Sequence, residues 1–159
     1  MKTLYLECKM GAAGDMLMAA LYELLGEGQR KEFLDTMNGL GLPGVEVAPM
    51  AAKTGGIAGT HMRVTVHGQE EHEHGHHQDH HHEFHYEHGH HHHHHATPGH
   101  IGAIIDGLSL PQEVKDRARQ VYDAIAQAEA QVHGCDVGDV HYHEVGALDA
   151  VADVVGVCY

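Results

Sequence analysis

The spacing of apolar and polar positions changes several times along the chain, and each change marks a predicted element. Residues 3–8, TLYLEC, alternate, with Leu4 and Leu6 on one side and Tyr5 and Glu7 on the other, as a short strand requires. Gly11 and Gly14 interrupt that pattern. From Asp15 the run MLMAALYELL consists of strong helix formers, so the opening unit reads strand, glycine loop, helix, closed by Gly26 and Gly28. A second helix is predicted over 28–38, where Phe33, Leu34 and Met37 share a face. Residues 45–52 and 59–67 read as two strands joined through Thr54, Gly55 and Gly56, the second alternating through Met62, Val64 and Val66.

Periodicity returns after residue 97. Residues 100–107 carry Ile101, Ile104 and Ile105 at helical spacing. Pro111 then opens the clearest helix in the chain, its apolar stripe predicted through Val114, Ala118, Val121, Tyr122, Ile125, Ala128 and Val132. Gly134 and Gly138 bound a turn, VHYHEV reads as extended or irregular, and ALDAVADVVGVCY is helical again through Leu148, Val151, Ala152 and Val155. The fold class is mixed α/β of the α+β kind: strand, glycine loop and helix, then a hairpin, a long loop and C-terminal helices. The pattern stops inside an apolar helix with no closing turn, so the expectation is an incomplete domain whose fold continues beyond Tyr159. The organisation is an α/β part over 1–67, a loop over 68–97, and a helical part of the same domain over 98–159.

That loop changes the picture most. From His72 to His95 about two of every three residues are histidine, and nearly all the rest are Glu, Asp, Gln or Gly. Imidazole binds late first-row metal ions at neutral pH because its pKa near ~6.5 leaves a nitrogen lone pair free. Only Phe84 and Tyr86 are large apolar groups in the run, too few to offset its ordering entropy, so a disordered loop is expected. His72, His74, His76, His77 and the block His90, His91, His92, His93, His94 and His95 are metal-ligand candidates in a collector of many weak sites. Six consecutive histidines also resemble a purification tag, but tags sit at chain ends and this block lies inside the sequence.

Charge narrows the clients. The chain of 159 residues has a formal net charge of −14 with its 21 histidines neutral, which argues against nucleic acid or an anionic membrane as partner and favours cations. Protonating the histidines would reverse that sign. Cys8, Cys135 and Cys158 are widely spaced with no CxxC pair, so neither a cysteine zinc site nor a disulfide framework is expected. The N-terminus lacks a signal-peptide pattern and no apolar run approaches about 20 residues, so the expected location is cytoplasmic.

Two segments carry candidate chemistry. His141, Tyr142, His143 and Glu144 put two imidazoles and a carboxylate into four residues; in an extended chain His141 and His143 share a face roughly 6–7 Å apart at Cα, within reach of one ion. Gly146 favours a turn there. Asp149 and Asp153 are four apart on the following helix, so their carboxylates share a face. Such a set suits an open catalytic or transfer site better than a closed structural one, although His143 or Glu144 could instead cap the helix. The second segment is Glu7, Cys8, Gly11, Gly14 and Asp15. A glycine loop between strand and helix can cradle an anion on its N–H groups, yet this one is neither GxxxxGK[ST] nor a complete GxGxxG. Asp15 could cap the helix or hold a metal; Cys8 could be a soft ligand or a buried structural thiol.

YLECKMGAAGDMLMAAL, VHGQEEHEHGHH and above all VHYHEVGALDAVADVVGVC resemble the N-terminal part of the LarC family of nickel-insertion proteins, and the resemblance extends over nearly the whole chain. It implies a chelatase, or cyclometallase, of the lyase class. Such a protein places Ni²⁺ into pyridinium-3,5-bisthiocarboxylic acid mononucleotide, with metal–carbon and metal–sulfur bonds, to make the nickel-pincer cofactor of lactate racemase. It further implies CTP with Mg²⁺ or Mn²⁺, used by a C-terminal region that is absent here, which makes that missing portion a partner; this chain alone could be inactive, and a homo-oligomer is left open. Where the family has an aspartate before the first cysteine, this chain has Glu7.

On this reading the loop histidines gather nickel. A fixed site is drawn from His141, His143, Asp153, Glu7 and Cys8 as ligands, Glu144, Asp149 and Asp15 as acid–base groups, and Gly11 and Gly14 at the cofactor. The alternatives are a non-catalytic nickel store or metallochaperone, which explains the loop but not the two segments, and a glycine-loop nucleotide hydrolase, which explains the first segment alone.

Overall fold

The helix-forming run MLMAAL carries α1, Gly14–Glu23, and a break at Gly26 turns the chain into α2, Glu27–Asn38, whose first turn is closed by the Gln29 side chain accepting the Gly26 N–H at 3.1 Å. The computed structural model describes residues 3–9, 12–70, 96–142 and 144–159, with the backbone alone at Glu144. The predicted histidine loop, with His72, His74, His76, His77 and His90 to His95, lies outside the described residues, as do Gly11 and His143. Arg30 fastens α2 to α1, its guanidinium 5.3 Å from the Tyr22 ring and donating to the Glu23 carbonyl.

The hairpin follows the expected alternation and is longer than expected. β1, Val45–Thr54, and β2, Ile57–Val66, pair antiparallel from Val45↔Val66 to Thr54↔Ile57 around Gly55 and Gly56, both at positive φ, as a two-residue hairpin turn demands. The Asn38 side chain ends α2 and clips it to β1, receiving the Val47 N–H at 2.9 Å and donating to the Val47 carbonyl at 3.0 Å. The predicted strand over 3–8 does not form: residues 3–9 have no regular structure, and Leu4 and Leu6 are more than half exposed. A strand needs a ladder partner, and among the described residues the sheet consists of β1 and β2.

Thr97 caps α3, Pro98–Gly107, by accepting the His100 N–H, with Pro98 as its first residue. α4, Gln112–His133, runs to a left-handed Gly134. Its buried face differs from the predicted stripe. Val114, Ala118, Tyr122, Ala126 and Ala130 are buried in steps of four, while Val121 and Val132 are 39 % and 79 % exposed. Alanines on this row let neighbouring helices approach closely, and the larger valines fall on its flank. Two short 3₁₀ turns, Val137–Asp139 and Glu144–Gly146, lead into α5, Leu148–Cys158.

One core joins these parts: Met18 of α1, Met37 of α2, Met62 of β2, Ile101 and Ile105 of α3, Ala118 and Ala126 of α4, and Val151 and Val155 of α5 are fully buried. The two halves of the chain, on either side of the histidine segment, share it. Among the described residues no helix is long and apolar enough to cross a membrane.

Candidate functional site

The first turn of α1 lies directly against α5. A Cβ at Gly14 would stand 2.6 Å from the Asp153 Cβ and 3.1 Å from its Oδ2, so glycine is what permits the contact. Through it Asp153 of α5 reaches the Asp15 backbone N–H and accepts a hydrogen bond. α1 has no side-chain cap of its own, so a carboxylate from elsewhere in the chain occupies the positive end of this helix.

Asp15, Asp149 and Asp153 thus come together although the first is far from the others in sequence. Burial, then the charges of Asp15 and Asp149, push the Asp153 carboxyl up to about 7. Oδ1 of Asp149 and Oδ1 of Asp153 are both buried with no hydrogen-bond partner among the described residues. Tyr122 of α4 faces the same region, and burial, together with Tyr142, Asp149 and Asp153, raises its hydroxyl above the ordinary tyrosine range. A carboxyl poised near neutrality beside two others can hold a proton, release it, or exchange it for a cation.

The segment before α5 is fixed by its tyrosine. Tyr142 is buried, its N–H bonds the Ala96 carbonyl at 2.8 Å and its hydroxyl donates to the Tyr122 carbonyl at 3.0 Å; the Tyr122 hydroxyl in turn donates to the Val145 carbonyl at 3.1 Å. A Cβ at Gly146 would come within 2.7 Å of the Ala96 Cβ and 2.9 Å of the Tyr142 Cβ, so this glycine seats the 3₁₀ turn that the sequence suggested. His141 is exposed beside the anchored tyrosine. Ala96, the first described residue after the histidine segment, is therefore held against this signature.

Of the N-terminal candidates, Glu7 pairs with Lys9 at 3.0 Å and Cys8 is an exposed free thiol. The sequence reading missed His61 of β2. Its Nε2 lies 3.0 Å from Glu70 Oε1 and its Nδ1 lies 3.8 Å from Asp15 Oδ2. Nothing in local spacing links it to Asp15; the one available signal was its position one residue before the inward-facing Met62, on the opposite face of the strand. Among the described residues no three His, Cys, Asp or Glu side chains are gathered tightly enough to hold a metal ion.

A family model described as "Nickel insertion protein" matches residues 4–159. The chain is 42 % identical over 164 residues to a pyridinium-3,5-bisthiocarboxylic acid mononucleotide nickel insertion protein of Lactiplantibacillus plantarum, covering 99 % of this chain and 36 % of that one. Proteins of the same name from Staphylococcus saprophyticus, 34 % identical over 155 residues, and Desulfitobacterium hafniense, 34 % identical over 157 residues, are each covered to 33 %, with 98 % of this chain matched. The chain thus spans about a third of the length of the curated relatives it matches. No solved structure matches it.

Proposed function

The chain belongs to the nickel insertion protein family, and from that membership we propose that it is the nickel-handling N-terminal portion of an insertase acting on pyridinium-3,5-bisthiocarboxylic acid mononucleotide. The observation that carries the reading is the meeting of Asp15, Asp149 and Asp153 at the α1–α5 contact, next to the segment containing His141 and His143. Histidine nitrogens hold Ni²⁺. The ring C–H bond breaks as its electron pair goes to the metal, and the released proton passes to a carboxylate; the thiocarboxylate sulfurs complete the pincer, with no change of oxidation state required. Burial of two carboxylate oxygens without partners supports a base role for Asp149 or Asp153, since such atoms gain most from a proton or a cation.

CTP with Mg²⁺ or Mn²⁺, which the resemblance implies, is assigned to the two-thirds of the relatives that this chain does not cover. The N-terminus of α1 is a poor phosphate cradle, because Asp153 already occupies it and Asp15 adds a second negative charge. The product serves lactate racemase in this reading, and the setting is cytoplasmic.

A nickel store or metallochaperone is the second reading, favoured by the abundance of histidine between 72 and 95. Nickel incorporation into the mononucleotide separates the two. This chain alone and a whole-length protein carrying it are compared with CTP present. Incorporation by the longer protein supports the insertase; nickel binding with no incorporation by either supports the store.

A further inference from the structure

His61 stands between two carboxylates, and the two contacts differ in kind. On one side Nε2 is 3.0 Å from Glu70 Oε1, a hydrogen-bond distance. On the other, Nδ1 is 3.8 Å from Asp15 Oδ2, too long for a hydrogen bond. If Nε2 carries the proton that Glu70 accepts, the neutral ring has its lone pair at Nδ1, aimed toward an anionic oxygen. Two electron-rich atoms facing each other across a gap repel unless a proton or a metal ion lies between them, and a metal ion competes with the proton for that lone pair.

Late first-row ions bind imidazole nitrogen and carboxylate oxygen at about 2.0–2.2 Å, so neighbouring donors on one ion stand roughly 3–3.5 Å apart. The 3.8 Å gap is slightly wider, and a small rotation of the part-exposed side chains closes it. A hydrogen-bond acceptor on the far nitrogen, a carboxylate among them, is also what orients metal-binding histidines and raises their basicity. The side chains of His61, Asp15 and Glu70 are 41 %, 32 % and 40 % exposed, so an ion can arrive from solvent. The acidic residues alone would prefer hard cations, whereas an imidazole shifts preference toward nickel and its neighbours.

We propose that His61 Nδ1 and Asp15 Oδ2 are the two fixed donors of an open nickel site, oriented by Glu70, on the α1 side of the carboxylate group. Two donors leave most coordination positions to water or to an exchanging ligand, as a site that passes its ion onward needs. Glu70 stands two residues before His72 in the sequence, so the site adjoins the start of the histidine-rich run along the chain. Its role in transfer rests on the nickel-handling reading above; its existence does not.

The test uses the whole chain with the histidines of 72–95 replaced by glutamine, which keeps length while removing the competing collector. Nickel binding is followed by calorimetry, with circular dichroism checking that each variant folds. H61Q and D15N should each lower the bound nickel by one ion per chain or weaken that ion at least tenfold, the double variant should be no worse than either single one, and E70Q should weaken it by about 10–100-fold. Unchanged binding in H61Q, or independent additive losses in H61Q and D15N, would overturn the site. If the site is present while the whole-length protein never loads the mononucleotide, the insertase reading falls and the site stands.

Discussion

Asp153 carries the sharpest consequence at the scale of single residues. Its carboxyl is pushed up to about 7 in the fold against an ordinary 3.8, chiefly by burial. The folded state therefore holds the proton more tightly than the unfolded chain, and ionisation opposes folding. That cost is absent below pH 3.8, grows as pH rises, and is complete above about 7. Asp153→Asn should raise stability at pH 8 by an amount on the order of 1 kcal/mol, discounted because the group is partly solvated, and should leave it unchanged at pH 3.5. Paired urea melts at the two pH values check this. Gly14→Ala should destabilise by about 1–3 kcal/mol, since its methyl would meet the Asp153 side chain close to the helix backbone; the same melts read it. The pairing of Asp149 with Asp153 was legible from a spacing of four on a predicted helix. That Asp15 joins them was not, because the contact depends on α1 packing against α5, and His61 stayed hidden because its approach to Asp15 depends on α1 packing against β2.

At the scale of elements, helices and hairpin were legible wherever one face is apolar at constant spacing, as in Met62 and Val64 of β2. The reading failed where size misled it. On α4 the stripe followed the large Val121 and Val132, whereas packing selected alanines that let helices close up. It failed again over 3–8, where alternation marks a strand's preference but cannot supply a partner. In the segment before α5 the functional-looking histidines flank a residue with a structural task. Tyr142→Phe should cost about 0.5–1.5 kcal/mol by removing the hydroxyl's bond to the Tyr122 carbonyl, which keeps its partner within α4, measured by thermal melting. Deleting 72–95 should lower nickel capacity and keep the helical circular dichroism, because the described core closes between residues on either side of that segment. A large loss of helix signal would mean the segment contributes to the core.

For the molecule as a whole, charge and histidine content favour late first-row cations. A chain at −14 with 21 histidines should bind nickel steeply as a function of pH, since each ion competes with protons for imidazole. Nickel stoichiometry should fall sharply between pH 7.5 and pH 5, and an unchanged value would assign the ions to carboxylates or thiols. The central claim is that collection and chemistry are separate: a histidine-rich run supplies capacity, while a fixed group around Asp149, Asp153 and the His141–His143 segment performs transfer, because chemistry needs ligands held in place. The direct measurement is the rate of nickel transfer to the mononucleotide by a whole-length protein carrying this chain, with total bound nickel counted alongside. His143→Ala should abolish transfer and barely change the count, whereas deletion of 72–95 should lower the count and leave transfer intact at saturating nickel. Normal transfer by His143→Ala, or loss of transfer on deletion at saturating nickel, would contradict the claim.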